Sequence, residues 1–199
     1  MLIAELILAT QNKNKVAEIN ALLEDFHIKV KTVSNCPEII EDGETLEDNA
    51  ILKARTMAVR YNSWAFADDS GLEVDALGGA PGVRSARYAG EGCSYEDNNW
   101  KLLKALKGIP EEERKAQFRC VIAVSSPEVK IWTVEGRLDG FISLTPKGHN
   151  GFGYDPIFYY PPADKRLAEM DLVEKNMISH RGKALKNFIK LIQSIQDHS

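Results

Sequence analysis

What this sequence lacks narrows the possibilities first. It has only three cysteines, Cys36, Cys93 and Cys120. An odd number at wide spacing argues against a disulfide framework and against a Cys-x-x-Cys metal site, and fits reduced thiols in a cytosolic protein. No apolar run approaches the roughly 18 residues that a membrane span needs. The opening MLIAELILAT has no basic flank and runs directly into polar QNKNK, so it does not read as a signal peptide. Neither charge sign dominates: 25 Lys and Arg face 29 Asp and Glu, a formal net charge of −4. Duplex-binding domains are usually strongly basic, so general nucleic-acid binding is disfavoured. Repeats and low-complexity tracts are absent. So are a His-Glu-x-x-His zinc motif and a G-x-x-x-x-G-K-S/T phosphate loop. The expectation is a soluble cytoplasmic protein with neither a membrane nor a nucleic acid as partner.

What remains is an ordinary globular chain of 199 residues, 44% hydrophobic, 8% aromatic and 27% charged. That composition excludes collagen-like, coiled-coil and disordered classes. The length suits a single domain, residues 1–199, or one domain with two lobes. A chain of this size buries roughly 70% of the surface its unfolded form exposes.

The hydrophobic pattern predicts a strand over Ile3 to Thr10, then a helix with Val16, Ile19, Leu22, Leu23 and Phe26 at helical spacing. Ile28 to Val33 alternates as a second strand. Thr45-Leu46-Glu47-Asp48 resembles a capping box, with Asp for Glu. Leu46, Ala50, Ala54, Met57 or Ala58, and Tyr61 then share one helical face. Trp64 to Ala67 reads as a strand ending at Asp68-Asp69-Ser70. Residues 71–92 hold six of the fourteen glycines, which predicts a long ordered loop of the kind that carries function. Ser94 caps a helix running through Lys107, with Trp100, Leu103 and Leu106 on its apolar side. Lys115–Ser126 and Val129–Gly140 form a hairpin. Gly148–Gly153 is a glycine-rich turn before a strand at Pro156–Tyr160. Ser179 starts a last helix striped by Leu185, Phe188, Ile189, Ile192 and Ile195. Strand–helix units mixed with a hairpin predict an α/β fold with a mixed sheet.

Four segments carry candidate chemistry. Thr10-Gln11-Asn12-Lys13-Asn14-Lys15 lies where a strand gives way to a helix, a place that binds anions; a capped helix start with solvated lysines is the plain alternative. Asp68-Asp69-Ser70-Gly71 presents two acids suited to a hard cation such as Mg2+, or forms a simple Asx-type turn. Arg84 and Arg87 follow a glycine turn and grip phosphate, or pair with surface acids. Lys175 to Arg181 places Ser179, His180 and Arg181 at a helix start, where they offer donors to a base edge, or form a solvated basic turn. His27, His149 and His198 have no such company and read as structural or exposed. Together these segments put cations and acids at the strand-to-helix turns where α/β folds bind ligands. That favours a phosphorylated small molecule plus a divalent metal.

Several stretches then match one family in its own order. They are Ala9 to Lys15, the long run from Asp68 to Gly90, Gly151 to Phe158 and Glu174 to Ala184. They resemble the signature of the inosine triphosphate pyrophosphatase family, the XTP/dITP diphosphatases, over nearly the whole chain. The resemblance implies a long central mixed β-sheet flanked by helices, in two lobes with the active-site cleft between them. It implies hydrolysis of ITP, dITP and XTP to the monophosphate and pyrophosphate, clearing deaminated purines from the nucleotide pool. It further implies Mg2+ and a homodimer. Residue by residue, Asp69 matches the catalytic acid that activates water or holds the metal. Glu41 lies where the family has a second metal-binding acid, in the weakly patterned Glu38 to Gly43, and Asp68 joins them as a metal candidate. Thr10, Gln11, Asn12, Lys13, Asn14 and Lys15 match the phosphate-binding opening, with Gln11 where the family often has Gly. Lys53 matches a phosphate-contacting lysine. Ser70, Phe152, Gly153, Tyr154, Asp155, Lys175, His180 and Arg181 match nucleotide-binding positions, with Phe152 stacking on the base and His180 and Arg181 reading its oxo edge. Two rival classes stand beside this. One is a non-hydrolytic nucleotide-binding module; the other is a pyrophosphatase for modified pyrimidines or methylated nucleotides.

Overall fold

The fold is taken from a computed structural model, which describes residues 5–23, 28–33, 39 and 41–197. Ile3, Phe26, His27, Cys36, Glu38 and His198 lie outside these residues. The chain forms β1 (Leu6–Leu8), α1 (Lys13–Leu23), β2 (Val30–Thr32), α2 (Leu46–Tyr61), β3 (Ala65–Val74) and β4 (Pro81–Gly82). There follow α3 (Tyr95–Ala105), β5 (Lys115–Ser125), β6 (Ile131–Ile142), β7 (Phe158–Tyr160), β8 (Lys165–Arg166), α4 (Leu172–Ile178) and α5 (His180–Asp197).

The strands make one mixed sheet in the order β2-β1-β3-β5-β6-β7-β8, with β4 paired to β3 off that path. β1 is parallel to both β2 and β3, as expected where a helix supplies each crossover. β4 is antiparallel to β3, and β7 is antiparallel to β6 and to β8. β5 and β6 are neighbours joined only by residues 126–130. A connection that short permits only antiparallel pairing, so the hairpin expected from the alternation is present.

The chain divides into two compact units. Unit 1 comprises residues 1–69, 120–136 and 181–199; unit 2 comprises residues 70–119 and 137–180. Unit 1 has its own core. Leu6 and Leu8 of β1, Ile19 and Leu23 of α1, and Phe66 of β3 meet Cys120, Ile122 and Val124 of β5. Ala184, Leu185, Phe188, Ile189 and Ile192 of α5 join them. Phe66 and Phe188 stack with centroids 4.8 Å apart. Unit 2 has a separate core of Leu72, Val74, Leu102, Leu106, Phe118, Leu138, Ile142, Tyr154, Ile157 and Phe158, with Leu167 and Met170.

Four expectations are corrected. β3 does not end at the acids; it runs on through Asp68, Asp69, Ser70 and Gly71 to Val74. A strand tolerates these buried acids because cations from other elements satisfy them, which local pattern does not reveal. Trp100 is exposed, because α3 buries the face carrying Asn98, Asn99 and Leu102. Tyr61 is likewise exposed at the end of α2, whose buried face holds Asn49 and Lys53 among its apolar residues. Lys175 belongs to the separate helix α4, started by an Asp171–Glu174 capping box and closed at Ser179. The box expected at Thr45 with Asp48 is formed, and the cap expected at Ser94 is formed as a box with Asp97.

Candidate active site

In unit 1 the polar group grows out of β3. Successive strand residues face opposite ways, so adjacent acids enter different networks. Asp68 is fully buried. Its Oδ2 lies 3.0 Å from Lys15 Nζ and accepts from Arg181 Nε and Nη2 at 3.2 Å each. The other arm of Arg181 bonds Glu18 of α1. Burial alone would raise the Asp68 pKa, but Lys15 and Arg181 outweigh it and hold the carboxyl well below the usual carboxylate range. Arg181 is itself buried, and Asp68 and Glu18 keep its guanidinium charged against that burial.

Asp69 meets a different cation. Lys53 Nζ of α2 donates to Asp69 Oδ1 at 2.7 Å, to the Asp68 carbonyl at 2.8 Å and to Glu41 Oε1 at 3.0 Å. Asn49 Nδ2 approaches Asp69 Oδ2 at 3.4 Å, and its Oδ1 accepts from the Gly43 N–H at 2.9 Å. Burial pushes the Asp69 carboxyl above its ordinary value, with Lys53 and Lys15 opposing the rise. Burial would lower the Lys53 pKa, yet Asp69, Asp68 and Glu41 raise it.

The Thr10 to Lys15 turn is a capped helix start. Thr10 Oγ1 accepts from the Asn12 N–H at 3.2 Å, and Asn12 Oδ1 accepts from the Asn14 and Lys15 N–H groups at 3.0 and 3.4 Å. Gln11, Lys13 and Asn14 are exposed. Lys15 is not a solvated lysine, since its ammonium is directed at Asp68.

Unit 2 carries a second polar group around the glycine-rich turn. Asp155 Oδ2 accepts from the Phe152 N–H at 2.8 Å and from Lys175 Nζ at 2.6 Å. A Cβ on Gly151 would meet that same oxygen at 2.1 Å, so the turn closes only around glycine there. Lys175 Nζ also sits 4.9 Å from the centroid of the Phe152 ring, within range of a cation–π contact. Asn99 Nδ2 donates to the Gly153 carbonyl at 3.0 Å. Tyr154 donates to the Ser85 carbonyl at 2.9 Å, and burial keeps its phenol protonated by raising its pKa. His180 is buried, with its ring stacked on Phe118 at 4.6 Å. Ser70 is half-buried at the first position of this unit. Arg87 pairs with the exposed Glu91 at 3.7 Å, the surface alternative for that arginine, and Arg84 is exposed.

The expected residues thus assemble into two groups. Asp68, Asp69, Glu41, Lys15, Lys53 and Arg181 gather in unit 1. Phe152, Gly153, Tyr154, Asp155, Lys175 and His180 lie in unit 2. The guanidinium of Arg181, a residue expected to read a base edge, bonds two carboxylates of unit 1. Sequence reasoning passed over Glu18, Asn49, Tyr95 and Asn99. Three of these are buried polar residues at core positions of amphipathic helices, and a polar side chain breaking an apolar face is the signal that finds them.

A sequence model of the Ham1 family matches residues 6–191. The dITP/XTP pyrophosphatase of Desulforamulus reducens is 49% identical over 197 residues, covering 98% of each chain. That of Bacillus subtilis is 48% identical over 197 residues, covering 98% of this chain and 100% of the relative. Among solved structures, a HAM1 protein from Coxiella burnetii aligns with a TM-score of 0.88 at 43% identity, covering 98% of this chain and all of that one. Near-complete coverage in sequence and in structure leads to one conclusion: this chain belongs to the Ham1 family.

Proposed function

We propose that this chain hydrolyses deaminated purine nucleoside triphosphates, namely dITP, ITP and XTP, to the monophosphate and pyrophosphate. The observation that carries this reading is the convergence of Asp69 Oδ1 and Glu41 Oε1 on the single ammonium of Lys53. Two carboxylate oxygens aimed at one cation make a donor set for a hard divalent ion. This suits Mg2+, which takes one or two carboxylates and completes its shell with phosphate and water. Asp69 and Glu41 would hold it, and when bound it neutralises phosphate charge. Asp68 is the poorer ligand, because its Oδ2 already accepts from Lys15 and Arg181.

The residues of the chain divide the remaining work. Lys15 donates directly to phosphate oxygens, and Lys53 adds positive charge beside them. Asp69 orients the attacking water and takes its proton. Phe152 stacks on the purine, while Lys175 and the Asp155 turn hold that ring in place. His180 presents its imidazole toward the same ligand. Thr10 and Asn12 bind the phosphate end.

We also propose that the active form is a homodimer and that it works in the cytoplasm. The exposed apolar residues Leu172, Val173 and Met177 of α4 are the surface to substitute when sedimentation measures the assembly. No described helix is long and apolar enough to cross a membrane.

One substrate panel tests the activity: dITP and XTP against dATP, dGTP, dTTP and dUTP with Mg2+, with products read by phosphorus NMR. Pyrophosphate from dITP and XTP, abolished by EDTA, is expected. Orthophosphate released stepwise, or no product at all, would refute hydrolysis at the α-phosphorus. A preference for pyrimidine substrates would refute the purine reading.

A further inference from the structure

α3 carries two adjacent buried asparagines with different bonding. Asn98 is fully used: its Oδ1 accepts from the Ala89 N–H at 2.7 Å and its Nδ2 donates to the Ala86 carbonyl at 3.1 Å. Asn99 is only half used. Its Nδ2 donates to the Gly153 carbonyl at 3.0 Å, whereas its Oδ1 is buried and has no hydrogen-bond partner among the described residues. The residue is 8% exposed. The orientation of this amide follows from chemistry, since reversing it would set two carbonyl oxygens against each other. A buried acceptor left unmade costs roughly 1–3 kcal/mol, so its retention beside a functional turn is a sign of use.

Its neighbours say what the use is. Tyr95 lies one helical turn before Asn99, on the same face of α3. The Tyr95 ring packs against Phe152 with centroids 5.8 Å apart. The i and i+4 positions of α3 therefore meet consecutive residues of the turn, Tyr95 at Phe152 and Asn99 at Gly153. A purine stacked on Phe152 would neighbour Gly153, the residue that the Asn99 amide holds.

We infer that Asn99 is a specificity-determining residue whose Oδ1 accepts a hydrogen bond from a ring N–H of the bound base. This rests on the base-binding role proposed for Phe152. A 6-oxopurine carries a proton on N1, beside its oxo group, and satisfies the acceptor. Adenine presents a lone pair at N1 and leaves two acceptors facing each other. The discrimination is thus built from an acceptor reading N1–H, separate from any donor reading the oxo oxygen. Guanine also has N1–H, so Asn99 does not exclude it.

The test compares Asn99→Ala and Asn99→Asp with the unsubstituted protein. The readouts are kcat/KM for dITP and dATP, and calorimetric binding of IMP and AMP. Asn99→Ala removes the acceptor, and dITP should lose about 10–100-fold while dATP changes little, which collapses the preference. Asn99→Asp keeps an acceptor but loses the donor to Gly153, so both nucleotides weaken and the preference for IMP over AMP survives. Equal fractional losses for both bases in Asn99→Ala would show that Asn99 only anchors the turn and would overturn the inference. Should Asn99→Ala fail to fold, loss of the base preference in a folded Asn99→Asp overturns it equally. An unsubstituted protein that treats dITP and dATP alike would instead refute the proposed substrate class, a separate result.

Discussion

The polar groups of the two units are both buried and both built on lysine–carboxylate pairs, yet their charges balance differently. In unit 1 the cations Lys15, Lys53 and Arg181 face the carboxylates of Glu18, Glu41, Asp68 and Asp69. In unit 2 a single lysine, Lys175, faces a single aspartate, Asp155. Burying charge is costly unless partners compensate it. Unit 2 meets that cost with a neutral pair that fixes a backbone turn, an arrangement suited to an uncharged ring. The unit 1 group carries one more acid than it has cations. A polyanion arriving there needs positive charge from elsewhere, which is why a divalent cation belongs to the proposed chemistry.

The largest expected effect breaks the charged side of this comparison. Asp69→Asn keeps shape and removes the base, and kcat for dITP should fall roughly 10²–10⁴-fold with little change in melting temperature. Near-native turnover in that variant would remove Asp69 from the chemistry.

Next comes Arg181→Ala, which leaves Asp68 and Glu18 buried without their shared partner. Breaking a buried pair costs about 3–5 kcal/mol, read as a lower midpoint in urea. An unchanged midpoint would mean that Arg181 does not bind the network together. Acid titration of the same two proteins sharpens the point. Against the cost of its burial, Lys15 and Arg181 depress the Asp68 pKa. The stability it contributes is therefore present above the unfolded carboxylate value, about 3.9, and is lost as pH falls below that value through the folded one. The variant should show a weaker loss of stability over that acid range than the parent.

Phe152→Ala probes the neutral side. Base stacking on an aromatic is worth about 1–3 kcal/mol, so KM for dITP should rise roughly 5–100-fold with kcat nearly kept. A loss in kcat alone would place Phe152 elsewhere in the reaction. The smallest effect is Thr45→Ala, which removes the cap of α2, the helix that carries Lys53 and Asn49. A lost cap costs about 1 kcal/mol, measurable in urea, and activity should follow only to that extent.

How much of this was legible in the sequence depended on distance along the chain. The capping box at Thr45, the cap at Ser94 and the apolar stripe of α5 are local, and they fold as their spacing predicts. The length of β3 is not local. Asp68 and Asp69 look like a turn until Lys15, Lys53 and Arg181 are known to meet them, and Arg181 is 113 residues away. The acids and lysines of the site were visible as residue types, and their grouping around Lys53 was not. Asn99 was hidden because a polar residue next to Asn98 reads as surface. Arg181 was visible, but its pairing with Glu18 was not, because nothing in its local sequence announces that partner.

The order in which unit 1 is drawn from the chain has a consequence for synthesis. Its core needs Leu6 and Leu8 from one end and Phe188 and Ile192 from the other. During translation β1 emerges long before α5, so the apolar surface that α5 covers stays exposed until that helix is made. Asp68 waits equally long for Arg181. A product that stops before α5 lacks both the apolar cover and the counter-charge, and protein quality control can recognise it by its exposed core.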